Sequence, residues 1–173
     1  MLHDENLFSC TEILAVLGKN IRKAREKKKM GINELAHLAG YSRNQLSNVE
    51  FGEKNIRYRT VVDLTRILDV SFPTIFSLDY MEGQHIEQVI STNIFKEDDF
   101  LMVFIENFQR ELLAQRSTQA TIYILTGVSE STLSRILNGK NQNPTIKTMY
   151  AMAYMVRSDM CNLFSRNKLE EDI

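Results

Sequence analysis

Apolar residues recur at i, i+3, i+4 and i+7 in several separate stretches of this chain. The clearest cases are TVVDLTRILDV (60–70) and TIKTMYAMAYMV (145–156). The same period runs through ILAVLGKNIRKAREKKK (13–29), where Ile21, Ala24, Arg25 and Lys28 punctuate a basic helix, and through LMVFIENFQRELLAQ (101–115). NELAHLA (33–39) and TQATIYILT (118–126) predict shorter helices, and FPTIFSL (72–78) and MCNLFS (160–165) read as short apolar tails. Pro73 and Pro144 stand where a helix begins, the position at which a missing N–H costs nothing. The elements so predicted are short helices of roughly 8–16 residues with tight connections, an all-α chain.

Two stretches combine the helical period with residues that build helices poorly. In SESTLSRILNGK (129–140), Leu133, Ile136 and Leu137 form the apolar stripe, while Ser131, Thr132, Ser134 and Arg135 occupy the remaining faces. SRNQLSNVEFG (42–52) has the same construction. A shift of 87 residues places Gly40, Ser42, Leu46, Ser47 and Gly52 on Gly127, Ser129, Leu133, Ser134 and Gly139, with Val49 on Ile136. The flanking helices follow the same order on both sides, so the chain reads as two tandem five-helix domains. The boundaries are residues 1–78 and 100–173. Between them, the connector 79–99 is acidic, and Ile86, Val89, Ile90 and Ile94 give it a helical pattern of its own.

In each unit a short helix, a glycine-containing turn and a second short helix follow one another, which is the helix-turn-helix arrangement. Ser42 and Ser129 stand as N-caps, each hydroxyl placed to accept from a backbone N–H two or three residues on. On IRKAREKKKMGINELAHLAGYS with SNVEFG, and on STQATIYILTGVSESTLSRILNGKNQNPTI, the sequence resembles the Cro/phage-repressor (xenobiotic-response-element type) helix-turn-helix family. The resemblance covers about residues 13–78 and 100–165. It implies two lambda-repressor-like domains that bind double-stranded DNA, with recognition helices 43–51 and 130–138 in the major groove. Carried over position by position, the base-contacting residues are Arg43, Asn44, Ser47 and Asn48, then Glu130, Ser131, Ser134 and Arg135. The chemistry suits base edges: Arg is bidentate to guanine, Asn to adenine, Glu accepts from cytosine, and Ser serves either way. Phosphate contacts are expected from helix N-termini and from the loop after each recognition helix, namely Ser42, Lys54 and Arg57, then Thr118, Gln119, Ser129, Lys140 and Asn141. The family's polar pair at the start of the first motif helix survives as Thr118-Gln119 but is Gly31-Ile32 in the first unit. The resemblance also implies a structural ion pair between Arg25 and Glu50. In the second unit those positions are Leu112 and Leu137.

Composition narrows the classes further. The chain has 173 residues, 43% hydrophobic and 25% charged, and a formal net charge of −1. That near-neutral total hides a pattern. Residues 13–78 carry twelve Lys+Arg against six Asp+Glu, 79–111 two against eight, and 112–169 seven against two. Two basic blocks flank an acidic one, the footprint of a polyanion-binding surface. The N-terminal MLHDENLFSC lacks the basic start of a secretory signal, and no apolar run approaches about 20 residues, so a cytoplasmic protein without a membrane span is expected. Cys10 and Cys161 read as free thiols. His3, His37 and His85 share no metal-ligand spacing, so neither a metal nor another cofactor is expected. Met149, Met152 and Met155 read as a helix core. No catalytic constellation or small-molecule site is evident, and the chain reads as a non-enzymatic, DNA-binding transcription regulator of the repressor kind. A homodimer stays open. A second reading gives DNA to one unit and makes the other a dimerisation or protein-partner module, as in an antitoxin, an accessory inhibitor or a plasmid maintenance factor.

Overall fold

A computed structural model describes residues 11–78, 100–115 and 127–164. Every regular element among them is helical. In the N-terminal half these are α1 (Thr11–Lys27), α2 (Ile32–Leu38), α3 (Arg43–Glu50), α4 (Tyr58–Leu68) and a 3-10 turn (Pro73–Phe76). In the C-terminal half they are α5 (Phe100–Ala114), α6 (Glu130–Leu137), α7 (Ile146–Met155) and α8 (Met160–Phe164). The connector 79–99 and the expected short helix at 118–126 lie outside the described residues. The helices end where local chemistry stops them. Gly40 and Gly127 turn the chain at φ of 70° and 69°, and Gly52 and Gly139 do so at 72° and 68°, a region that L side chains rarely enter. Phe51 and Asn138 are the C-caps of α3 and α6, so each of these helices closes one residue earlier than the sequence suggests.

The α1 helix turns Leu14, Leu17, Ile21 and Ala24 inward, and α4 turns Val61, Leu64 and Leu68 inward, the faces expected from their period. In the C-terminal half, Phe104 and Phe108 of α5, Leu133 and Ile136 of α6, and Met149 and Met152 of α7 are all fully buried. One cluster of buried side chains draws on residues from Ile13 to Phe164, so the two halves share a core. Its centre is aromatic. Phe72 stacks on Phe100 (centroids 4.7 Å apart) and meets Phe164 edge-on at 4.8 Å, while Phe76 stacks on Phe164 at 5.5 Å. Such ring pairs contribute about 0.5–1.5 kcal/mol beyond the area they bury.

Two buried amides tie the ends of each half together. The Asn20 side chain donates to the carbonyls of Ile75 and Ser77, both at 2.8 Å, and the Asn107 side chain donates to the carbonyl of Leu163 at 3.0 Å. A buried amide left without partners would cost about 1–3 kcal/mol, so these bonds fix where the 3-10 turn and α8 come to rest. The Arg25 Nε donates to Glu50 Oε1 at 2.6 Å and a terminal nitrogen donates to Oε2 at 2.9 Å, a bidentate pair in which both side chains are largely buried. The hydrogen bond to Glu50 pushes the Arg25 pKa further up. Leu112 and Leu137, at the matching register of the C-terminal half, pack against the apolar core instead.

Candidate nucleic-acid interface

The α3 helix starts at Ser42, whose hydroxyl accepts from the Gln45 N–H at 3.2 Å while Gln45 Oε1 accepts from the Ser42 N–H at 3.0 Å. This reciprocal capping satisfies two of the helix's orphan donors. Leu46 and Val49 are buried, which rolls the opposite face outward and leaves Arg43, Asn44 and Asn48 exposed, with Ser47 half-buried beside them. The α6 helix follows the same plan. The Ser129 hydroxyl accepts from the Thr132 N–H at 3.2 Å, Leu133 and Ile136 are buried, and Glu130, Ser131 and Arg135 are exposed. Ser134 is half-buried and its hydroxyl accepts from the Asn138 side chain at 3.1 Å. Each helix thus displays a polar strip of donors and acceptors above an apolar seam.

The residues expected at phosphates fall into three groups. Lys140 is exposed, and Lys54 sits over the Tyr41 ring at 5.1 Å, a cation–π contact that orients its stem. Ser42 and Ser129 spend their hydroxyls on helix caps, and Asn141 Oδ1 accepts from the Asn143 N–H at 3.1 Å. Arg57 turns toward the other half of the molecule, where its guanidinium donates to the Asn143 carbonyl at 3.0 Å. Thr118 and Gln119 lie outside the described residues. At Gly31, where no side chain can cap α2, Glu34 reaches back to accept from the backbone N–H at 3.4 Å.

Sequence reasoning missed the contact between the loops that follow α3 and α6. Arg57 and Thr145 form an antiparallel β-bridge. The Tyr58 N–H donates to the Pro144 carbonyl and the Ile146 N–H to the Ile56 carbonyl, both at 2.9 Å. Just beyond, the Arg59 N–H donates to Asn143 Oδ1 at 3.0 Å and the Lys147 N–H to Asn55 Oδ1 at 3.2 Å. The first turns of α4 and α7 are therefore each capped by an asparagine from the opposite loop. The α4 helix has no side-chain cap of its own, so its orphan donors depend on this loan. An asparagine in each loop before the next helix was the available signal. A uniform shift of 87 aligns Asn55 with Gln142 instead, because the second loop is one residue longer.

Among the described residues, no group of His, Cys, Asp and Glu is arranged to hold a metal ion, and no helix is long and apolar enough to cross a membrane. Residues 21–75 match the family model described as HTH_3, helix-turn-helix. The chain is 42% identical over 60 residues to protein P2 of Acyrthosiphon pisum secondary endosymbiont phage 1, covering 35% of this chain and 64% of that one. It is 31% identical over 75 residues to the uncharacterized HTH-type transcriptional regulator YqaE of Bacillus subtilis (strain 168), covering 43% and 60% respectively. The chain thus spans less than two thirds of either relative. A solved HTH_3 family transcriptional regulator from Vibrio cholerae superposes with a TM-score of 0.39 at 20% identity, over 52% of this chain and 47% of that one.

Proposed function

We propose that this protein is a sequence-specific double-stranded DNA-binding regulator, a repressor, that places α3 and α6 in the major groove. The observation that carries this reading is the helix-turn-helix match over residues 21–75, joined to an α3 whose outer face presents Arg43, Asn44 and Asn48 to solvent. A side-chain strip of this kind matches the donor and acceptor pattern of base edges, and α6 offers a second strip in Glu130, Ser131 and Arg135. The matching glycine turns, serine caps and buried leucines support reading the two halves as two units of one design. Ser47 and Ser134 complete the base-facing sets, and Lys54 and Lys140 serve phosphates. No catalytic step belongs to this reading.

The test is duplex selection with the full chain, followed by a salt titration on the selected site. Affinity is expected to fall steeply between about 50 and 200 mM salt. Lys140→Ala is expected to lower the salt slope by about one and leave sequence preference unchanged. An affinity indifferent to salt would remove the reading. The second reading, in which only the N-terminal unit reads DNA, is favoured by one fact: the family match lies within residues 21–75. Under it, Arg43→Ala abolishes selection and Arg135→Ala leaves it unmoved.

A further inference from the structure

The geometry points to one chain, without a second copy, reading both halves of a single DNA site whose pseudo-two-fold axis lies over the Arg57–Thr145 contact. This rests on the proposed DNA reading of α3 and α6 and adds stoichiometry, spacing and site symmetry to it. In a two-fold interface, if residue i meets residue j of the other unit, then j meets i in return. The contacts between the halves obey that rule with a constant offset. Tyr58 to Pro144 is matched by Ile146 to Ile56, since 146 − 58 and 144 − 56 both equal 88. Arg59 to Asn143 is matched by Lys147 to Asn55, again 88 apart in both members. Arg57 and Thr145 differ by 88 and pair with each other, as residues on an axis must. Phe76 and Phe164 also differ by 88 and stack on each other with planes 19° apart. The bridge with its two hydrogen bonds, the pair of asparagine caps and the phenylalanine stack are three separate contacts that share the 88-residue offset, and together they define one pseudo-two-fold axis from the surface bridge to the aromatic core.

That axis has consequences for DNA. Each recognition helix ends only a short loop away from it: five residues from Gly52 to Arg57, and six from Gly139 to Thr145. At about 3.5 Å per residue and about 5 Å across the bridge, the two helix ends stand at most roughly 44 Å apart. Two half-sites one helical turn apart, about 34 Å, fall inside that limit. The hydrogen-bonded loops and shared core hold the spacing rigidly. The loops that follow the two recognition helices are already paired with each other within one chain. The two reading strips also differ, Arg43, Asn44 and Asn48 on one and Glu130, Ser131 and Arg135 on the other, so the preferred site has two dissimilar halves.

The experiment uses the full chain and a duplex selected from a randomised library. Sedimentation equilibrium on that duplex gives the stoichiometry, and a second duplex with five base pairs inserted at its centre gives the spacing dependence. The expected result is one chain per duplex, two dissimilar half-sites, and an affinity loss of about 100-fold or more on insertion, because the half-turn rotates one site away from a rigidly held helix. Two chains on an inverted repeat would overturn the inference while leaving the DNA reading intact. Tolerance of the insertion would do the same. Failure to select any duplex would overturn the DNA reading and the inference together.

Discussion

The seam between α1 and α3 and the corresponding region between α5 and α6 follow one sequence plan and reach opposite packing solutions. In the N-terminal half, Gly18 lies directly on the end of α3. A Cβ there would stand 2.4 Å from the Val49 carbonyl oxygen and 2.6 Å from that of Glu50. Gly52 is similarly tight against α1, where a Cβ would stand 2.8 Å from the Ala15 backbone. The matching residue for Gly18 is Ile105, 87 positions on, and a branched side chain cannot allow that approach. There, a cavity of about 650 Å³ opens between α4, α5 and the end of α6, lined by Tyr58, Val62, Leu101, Met102, Ile105 and Leu137. The ion pair follows the same divide. Arg25 and Glu50 reinforce the closed seam, whereas Leu112 and Leu137 stand at the open one. The lesson is that a shared helix pattern leaves the tightness of packing undecided, because one hydrogen or one sec-butyl group at the crossing point sets the approach.

The largest expected effect comes from breaking the charge pair on the closed side. Glu50→Leu alone should destabilise the protein by about 3–5 kcal/mol, since it leaves Arg25 charged and largely buried without its partner. Arg25→Leu combined with Glu50→Leu, which copies the chemistry of the open side, should be far milder. Urea denaturation of the two variants separates these outcomes, and equal costs would mean that the pair contributes nothing.

Gly18→Ala sharpens the comparison at the crossing itself. Alanine gains about 1 kcal/mol of helix propensity over glycine. The clash is with backbone, however, which cannot swing aside, and overpacking of this kind costs about 1–3 kcal/mol or more. A net loss of about 2 kcal/mol is expected by urea denaturation. A stabilised variant would show that the seam is looser than the geometry indicates.

Asn55→Ala and Asn143→Ala test whether the two halves lean on each other equally. Each removes a cap donated across the axis, with an expected cost of about 1 kcal/mol. Asn143→Ala should cost more, because α4 has no side-chain cap of its own while α7 keeps Thr145, whose hydroxyl accepts from the Thr148 N–H. Thermal melts of the two variants give the order directly.

The smallest effect is expected on the open side. Ile105→Phe places extra carbon beside the cavity and should raise stability by about 0.5–1 kcal/mol, as cavity filling commonly does. A loss above about 1 kcal/mol would show that the space is not accessible from this position.

What the sequence determined by itself is local. The helical period located α1, α4, α5 and α7, the glycines marked the left-handed turns, and Ser42 and Ser129 marked where α3 and α6 begin, because a cap or a turn is made by residues within a few positions of each other. The outward strips on α3 and α6 were legible for the same reason: burying Leu46 and Val49, or Leu133 and Ile136, dictates which residues face away. The tertiary structure alone decided the relation of one half to the other. Arg57 reads in sequence as a phosphate ligand, with nothing to show that its guanidinium also donates to the Asn143 carbonyl, and Asn55 and Asn143 read as ordinary loop residues until each is found capping the other half's helix. These partners lie 84 to 92 residues apart in the chain, and the helical period reaches only a few turns, while the 87-residue repeat marks equivalent positions and not contacts. The choice between a closed and an open seam was equally invisible, since it depends on the distance between two helix backbones, a quantity fixed only when the shared core of Phe72, Phe76, Phe100 and Phe164 sets both halves in place.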